Sequence, residues 1–272
     1  METLIAAFHY GFMQRALLAG LAIAATCACI GPFLVLRRLS LIGDGLAHVC
    51  LATVAAAFML GALPLTFSVP GVILAALVIL KISERNGVYA DAAIGIISST
   101  CVAAAVVMAS VGGGFNADLL SFLFGNILAV SRIETWVTLA VAALVCLVSA
   151  AMFPALMLTA MDEEYAQTRG VPVDAVNKGL IVLTALTVAV GVKAVGTMLV
   201  SGMLVIPSAV GLRIGRTFAR VFVIALGVGV FSVFAGLACA CLWNTPAGAT
   251  IVLVQGSVFA LVWVATAFSG RR

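Results

Sequence analysis

Charged residues are scarce in this sequence, at 9% of 272 residues, where soluble domains carry roughly 25%. Hydrophobic residues make up 64%. They form continuous apolar runs and lack the alternation of apolar and polar residues that builds a membrane β-barrel. The sequence therefore predicts an all-α, polytopic transmembrane bundle that forms one domain over residues 1–272.

Catalytic motifs are also lacking. The chain has only two histidines, His9 and His48, so no Ser/His/Asp or Cys/His set can be assembled from the sequence. No glycine-rich phosphate loop with a following Lys-Ser or Lys-Thr is found, which argues against ATP hydrolysis by that route. We therefore predict a protein that is not an enzyme and holds no permanent cofactor, and an ATP-driven process would need a separate ATPase subunit.

Cysteine is present but lacks a metal-binding or disulfide pattern. No pair has the two-residue gap of a zinc-thiolate knuckle, and the number is odd. The cysteines therefore predict small hydrophobic packing residues within apolar runs. They are Cys27, Cys29, Cys50, Cys101, Cys146, Cys239 and Cys241.

About nine membrane spans follow from the rule that a helix needs ~20 apolar residues to cross a bilayer. The run 45–80 is too long for one span, and we predict breaks at 61–64 and again at Pro70-Gly71. The segment 118–131 is apolar but too short to cross, which predicts an interfacial or re-entrant helix. The predicted spans are 16–36, two within 45–80, 92–111, 135–158, 179–192, 197–212, and two within 221–270 that separate at 244–248.

Basic residues predict the orientation of these spans. If the N-terminus lies outside, 11 of the 14 Lys and Arg residues fall in cytoplasmic segments, and only Arg15, Arg132 and Lys193 remain outside. The C-terminus is then cytoplasmic. The predicted cytoplasmic segments are 37–43, 81–91, 159–178, 213–220 and 271–272.

Asp44 and His48 form the most conspicuous polar pair. They are four residues apart, so on a helix they share one face, at the edge of the second span. A carboxylate with an imidazole suits a first-row divalent metal, and two ligands would make an open transit site. The alternative is structural, with Asp44 as an N-cap and His48 as its i,i+4 partner.

Two further polar features have open interpretations. Lys193 lies at the outer end of the sixth span, where it either snorkels to the interface or serves the mouth of a pathway. Segment 162–178 is either a solvated loop or a short helix that docks a cytoplasmic partner. Asp162, Glu163 and Glu164 suit the first turn of such a helix, and Gly170 would end it.

Five stretches of the chain resemble a known family. The chain is similar to the permease subunits of ATP-binding-cassette importers for divalent metals, and to the zinc-uptake permease most closely. The first, third and fourth stretches are the more specific, because they combine charged residues with glycine at fixed spacing. The stretches are VLRRLSLIGDGLAH (35–48), DLLSFLFGNILAV (118–130), DEEYAQTRGVPV (162–173), VAVGVKAVGTMLVSGMLVIP (188–207) and TPAGATIVL (245–253).

The resemblance implies a multi-pass protein of the bacterial cytoplasmic membrane, in contact with lipid and with no nucleic-acid partner. It implies a homodimer around a central pathway, two cytoplasmic ATPase subunits and an extracytoplasmic metal-binding protein. Zinc is the expected cargo, with manganese or iron as alternatives.

The resemblance also implies site residues. Asp44 and His48 fall on the Gly-Asp and His positions of the family and are expected to face the metal path. The family often has Asp where this chain has Asn126, which weakens an assignment there. Segment 159–178 corresponds to the ATPase-docking segment, with Asp162, Glu163, Glu164, Tyr165, Arg169 and Gly170 as the expected docking residues.

Two other classes of protein compete with this interpretation. A stand-alone secondary transporter or channel often has inverted repeats and an ion site at the bilayer midplane. No internal repeat is evident, and Asp44 is the only acidic residue that touches a predicted span. A membrane-embedded enzyme is disfavoured because catalytic residues are not clustered.

Overall fold

The computed structural model describes residues 11–85, 89–111, 130–243 and 245–268, and all regular secondary structure in these ranges is helical. The predicted all-α class is therefore confirmed. The helices are α1 (Gly11–Leu36), α2 (Ile42–Met59), α3 (Pro64–Arg85), α4 (Ala90–Val111), α5 (Arg132–Ala151), α6 (Phe153–Met161), α7 (Glu163–Thr168), α8 (Val173–Val195), α9 (Thr197–Ile214), α10 (Phe218–Trp243) and α11 (Ala247–Phe268).

Eight of these helices are long and apolar enough to cross a membrane, namely α1 to α5, α8, α10 and α11. Helix α9 adds a shorter apolar stretch, Leu199–Ile214. Together they agree with the predicted number of about nine spans. The predicted interfacial helix at 118–131 falls almost wholly outside the described residues, as does Asn126.

The predicted span 135–158 is wrong, because the structure divides it into α5 and α6 at Met152. Pro154 explains the break. It lies in the first turn of α6, where its missing N–H costs nothing. In a continuous helix its ring would clash with the carbonyl of Ala150. The apolar composition continues across the break, so hydropathy alone conceals it.

The predicted break at Pro70-Gly71 is also wrong, because α3 runs through it. A proline within a membrane helix frees one carbonyl, which neighbouring groups can satisfy. Gly71 instead allows a close approach to Thr53 of α2. The break at 61–64 is confirmed, with Gly61 in the left-handed region at φ 65°.

Two predicted boundaries shift because helices begin or end in polar sequence. Helix α3 continues to Arg85, inside the predicted polar loop 81–91. Helix α8 begins at Val173 rather than at residue 179 and is 23 residues long. Its additional first turns are amphipathic, with Val173 and Val176 buried.

Helices α1, α2 and α8 form the centre of the bundle, since most of their residues are buried. Helix α2 packs against α3, α4, α8 and α9, and α1 packs against α5, α9 and α10. Helix α11 lies at the periphery, where it contacts α9 and α10 and leaves most of its surface exposed. The start of α2, which carries Asp44 and His48, is therefore surrounded by protein on most sides.

Gly31 permits the close contact between α1 and α9. A Cβ at this position would overlap the Leu204 carbonyl oxygen and the Ser208 hydroxyl. We expect Gly31→Ala to lower stability by about 2 kcal/mol, as overpacking does, measured by thermal melting of the purified protein in detergent. Gly227→Ala is the matched control, since nothing lies within 4 Å of its added Cβ. Equal melting temperatures for both variants would contradict this packing.

Candidate functional site

Asp44 and His48 lie in the first two turns of α2. The Oδ2 atom of Asp44 is 3.6 Å from Nε2 of His48, and their side chains are 53% and 30% exposed. The N-cap position belongs to Leu41, and it makes no side-chain capping bond. The alternative of Asp44 as an N-cap is therefore wrong, although the i,i+4 contact that it included is present.

The neighbours of Asp44 explain why this carboxylate is uncovered. A Cβ on Gly43 would meet Leu204 of α9, and a Cβ on Gly45 would meet Ile94 of α4. Asp44 thus projects between α4 and α9, where it forms with Leu41 and His48 a strip one residue wide that the chain leaves open. We call these three residues the open strip.

The donor set of the open strip is incomplete for a closed metal site. It offers one carboxylate and one imidazole, and Nδ1 of His48 is buried without a hydrogen-bond partner. Within the described ranges, no group of three or more His, Cys, Asp or Glu side chains could hold a metal ion. One chain can therefore supply two ligands for a cation, and further ligands must come from elsewhere.

The turn before α2 contacts the start of α7 and α8. Arg37 donates from Nη2 to Oε2 of Glu163 at 3.4 Å and from Nη1 to Oδ1 of Asn177. Asn177 donates from Nδ2 to Oε1 of Glu163 at 3.1 Å. The open strip and segment 162–178 therefore lie at the same end of the bundle.

Segment 162–170 forms the predicted short helix rather than an irregular loop. Asp162 caps α7, since its Oδ1 accepts a hydrogen bond from the Tyr165 N–H at 2.9 Å. Arg169 donates from Nε to the Tyr165 hydroxyl at 3.0 Å, and its guanidinium lies 5.4 Å from the ring centroid. Gly170, at φ 77°, then ends the helical turn.

The outer face of α7 is available to a partner. Glu164, Tyr165 and Arg169 are exposed, whereas Ala166 is the only buried residue of the helix. A surface cleft of about 410 Å³ lies between the end of α7 and the start of α8. All six residues expected to dock the ATPase are exposed. Asp162 caps α7 and Glu163 bonds to Arg37 and Asn177, whereas Tyr165 and Arg169 bond to each other.

Lys193 forms an ion pair at the other end of α8, 16 residues and about 24 Å beyond Asn177. Its Nζ lies 2.6 Å from Oε1 of Glu134. Glu134 also closes a capping box with Ser131 at the start of α5. Lys193 is therefore paired at this end of the bundle, and both interpretations of it stay predictions. Its partner was missed, although the Ser-x-x-Glu spacing marks a helix start.

Nearly the whole sequence matches a known family. The model described as the ABC 3 transport family matches residues 9–266. The chain belongs to this family. The ABC 3 assignment confirms the resemblance, and the protein is accordingly a multi-pass protein of the bacterial cytoplasmic membrane.

Named relatives of this ABC 3 protein cover nearly its full length. The manganese transport system membrane protein MntC of Halalkalibacterium halodurans is 34% identical over 93% of this chain and 87% of the relative. The manganese import system permease protein ScaB of Streptococcus gordonii is 32% identical over 93% of this chain and 90% of the relative.

A solved structure has the same fold as this ABC 3 protein. PsaBC from Streptococcus pneumoniae in complex with Fab gives a TM-score of 0.86 at 30% identity. The match covers 96% of this chain and 94% of that chain.

Proposed function

We propose that this protein is the permease subunit of an ATP-driven importer for a divalent metal, with manganese as the preferred cargo. The observation that carries the proposal is the carboxylate–imidazole pair of the open strip, in a family whose named relatives are manganese permeases. These relatives favour manganese, the stated alternative, over the zinc that the sequence first suggested.

The chemistry of the pair suits this cargo. Carboxylate oxygen is a preferred ligand of Mn²⁺, whereas a site selective for zinc more often recruits thiolate or several imidazoles. Mn²⁺ also binds most weakly in the first-row divalent series. A site with few ligands allows a bound cation to leave as well as to enter. Transport through the protein requires both steps.

A second copy of the chain would complete the site. The open strip lies uncovered at the start of α2, and two copies brought together there would supply four ligands in place of two. A homodimer with the pathway at its centre therefore accounts both for the exposed Asp44 and for the incomplete donor set of one chain.

The ends of the bundle have different proposed partners. The positive-inside rule favours the cytoplasmic side for Arg37 and α7, where Glu164, Tyr165 and Arg169 would contact the ATPase subunits. The end with Lys193 and Glu134 then faces the extracytoplasmic metal-binding protein. The N-terminus would lie outside and the C-terminus inside.

Reconstitution tests this proposal. The permease is assembled in lipid vesicles with the ATPase and the metal-binding protein of the same organism, and uptake of radioactive manganese and zinc is followed. We expect ATP-dependent uptake of manganese that unlabelled manganese inhibits more strongly than zinc. Faster zinc uptake would favour the zinc alternative, and no ATP-dependent uptake of either metal would overturn the proposal.

A further inference from the structure

Arg37, Glu163 and Asn177 form a closed three-residue network at the proposed cytoplasmic end. The guanidinium of Arg37 donates to both partners, and the amide of Asn177 accepts from Arg37 and donates to Glu163. Each oxygen of the Glu163 carboxylate accepts one of these bonds. The three side chains come from the end of α1, the first turn of α7 and the second turn of α8.

Two of the three residues in the network are largely buried, whereas the side chain of Glu163 is 50% exposed. Asn177 is 4% exposed, and the side chain of Arg37 is only 14% exposed. A charged group that is this buried loses much of its hydration, so its charge-assisted hydrogen bonds are costly to break. Arg37 is thus held firmly to Asn177 of α8, and α7 is linked to both through Glu163.

The chain after Arg37 leads directly to the open strip. Arg38 takes the left-handed conformation at φ 58°, the Leu39 N–H donates to the Leu34 carbonyl, and the Ile42 N–H donates to the Leu39 carbonyl. This tight turn separates Arg37 from the first residue of α2, Ile42, and Asp44 lies two residues further along. The turn is short and held by these hydrogen bonds, so a displacement of Arg37 also moves the start of α2.

We propose that this network couples α7 to the metal site, so that movement of the docked ATPase repositions Asp44 and His48. The inference rests on the proposed function. It assigns Glu163 a role different from that of Glu164, its neighbour on the same helix. Glu163 is a positioning residue that acts through Arg37, whereas Glu164 faces outward to the partner.

The test compares two exposed acids, Glu163 and Asp91, in the complete importer in lipid vesicles. Manganese uptake and ATP hydrolysis are measured in the same preparation, and their ratio reports coupling. Glu163→Ala is expected to lower the metal moved per ATP about 10-fold, because it removes both hydrogen bonds that the carboxylate accepts, while the ATPase remains bound. Asp91→Ala, at an exposed acid in the first turn of α4 that belongs neither to the network nor to the docking face, is the control and is expected to leave this ratio unchanged.

A charge exchange tests the same link without leaving a buried charge unpaired. The double variant combines Arg37→Glu with Glu163→Arg. In it Asn177 can still form hydrogen bonds with both exchanged side chains, because its amide carries a donor and an acceptor and can rotate. We expect the double variant to recover most of the ratio that Arg37→Glu alone loses. This variant also decides the matter if the Glu163→Ala permease fails to fold.

The possible outcomes separate this inference from the proposed function. If the unmodified importer moves no metal, the proposed function fails. If it moves metal and Glu163→Ala keeps the normal ratio, the coupling role is overturned. The role is equally overturned if Glu163→Ala releases the ATPase, or if the charge exchange shows no recovery relative to Arg37→Glu.

Discussion

Replacement of Asp44 by Asn is expected to reduce ATP-driven manganese uptake about 100-fold, equivalent to about 2.7 kcal/mol, while the importer stays assembled. Asn keeps the shape of the side chain but removes the negative charge that attracts a divalent cation. Two copies of the chain would lose both carboxylates of the proposed site at once. Uptake in vesicles measures the effect, and co-purification of the ATPase checks assembly.

Asp91→Asn is the matched control for the Asp44 variant. Asp91 is also an exposed acid in the first turn of a helix, and α4 begins beside the start of α2. We expect its replacement to leave uptake near normal, because Asp91 does not belong to the open strip. The general negative potential at this end changes equally in both variants, so it cannot account for a difference between them. Equal uptake by the two variants would count against a metal path along the open strip.

A second large effect is expected on the outer face of α7. The double variant Glu164→Lys with Tyr165→Ala should reduce co-purification of the ATPase about 10-fold. It reverses one exposed charge and removes one exposed aromatic ring, and neither side chain belongs to the Arg37 network. Pull-down of the ATPase with the tagged permease measures the loss.

Glu163→Gln provides the contrast for this docking variant. It alters the adjacent acid on the same helix, so any general effect of the substitution on α7 should be similar. We expect this variant to retain the ATPase, since Glu163 is engaged with Arg37 and Asn177. A docking variant that retains the ATPase in full would remove the assignment of this face.

Features that depend on neighbouring residues could be predicted from the sequence. The face shared by Asp44 and His48 follows from their spacing of four, and α7 follows from the acids after Met161 and from Gly170. These are local properties of a helix, because the spacing of two residues along the sequence fixes whether they share a face of the helix. The number of spans likewise follows from the lengths of apolar runs.

Features that depend on long-range packing could not be predicted in this way. Glu163 lies 126 residues from Arg37, and Asn177 lies 140 residues from it, so no spacing relates them. The contact between Lys193 and Glu134 is of the same kind. The break at Pro154 and the continuous helix through Pro70 could not be predicted either. The effect of a proline depends on its position in the helix and on nearby groups.

Metal bound at the dimer centre offers the most direct test. The permease with its ATPase is purified, loaded with Mn²⁺ and studied by electron–nuclear double resonance. Two chains are expected to bind one Mn²⁺ with nitrogen hyperfine coupling from imidazole, and His48→Gln should abolish that coupling. Coupling that persists in His48→Gln, or bound Mn²⁺ without any nitrogen ligand, would contradict a metal path built on Asp44 and His48.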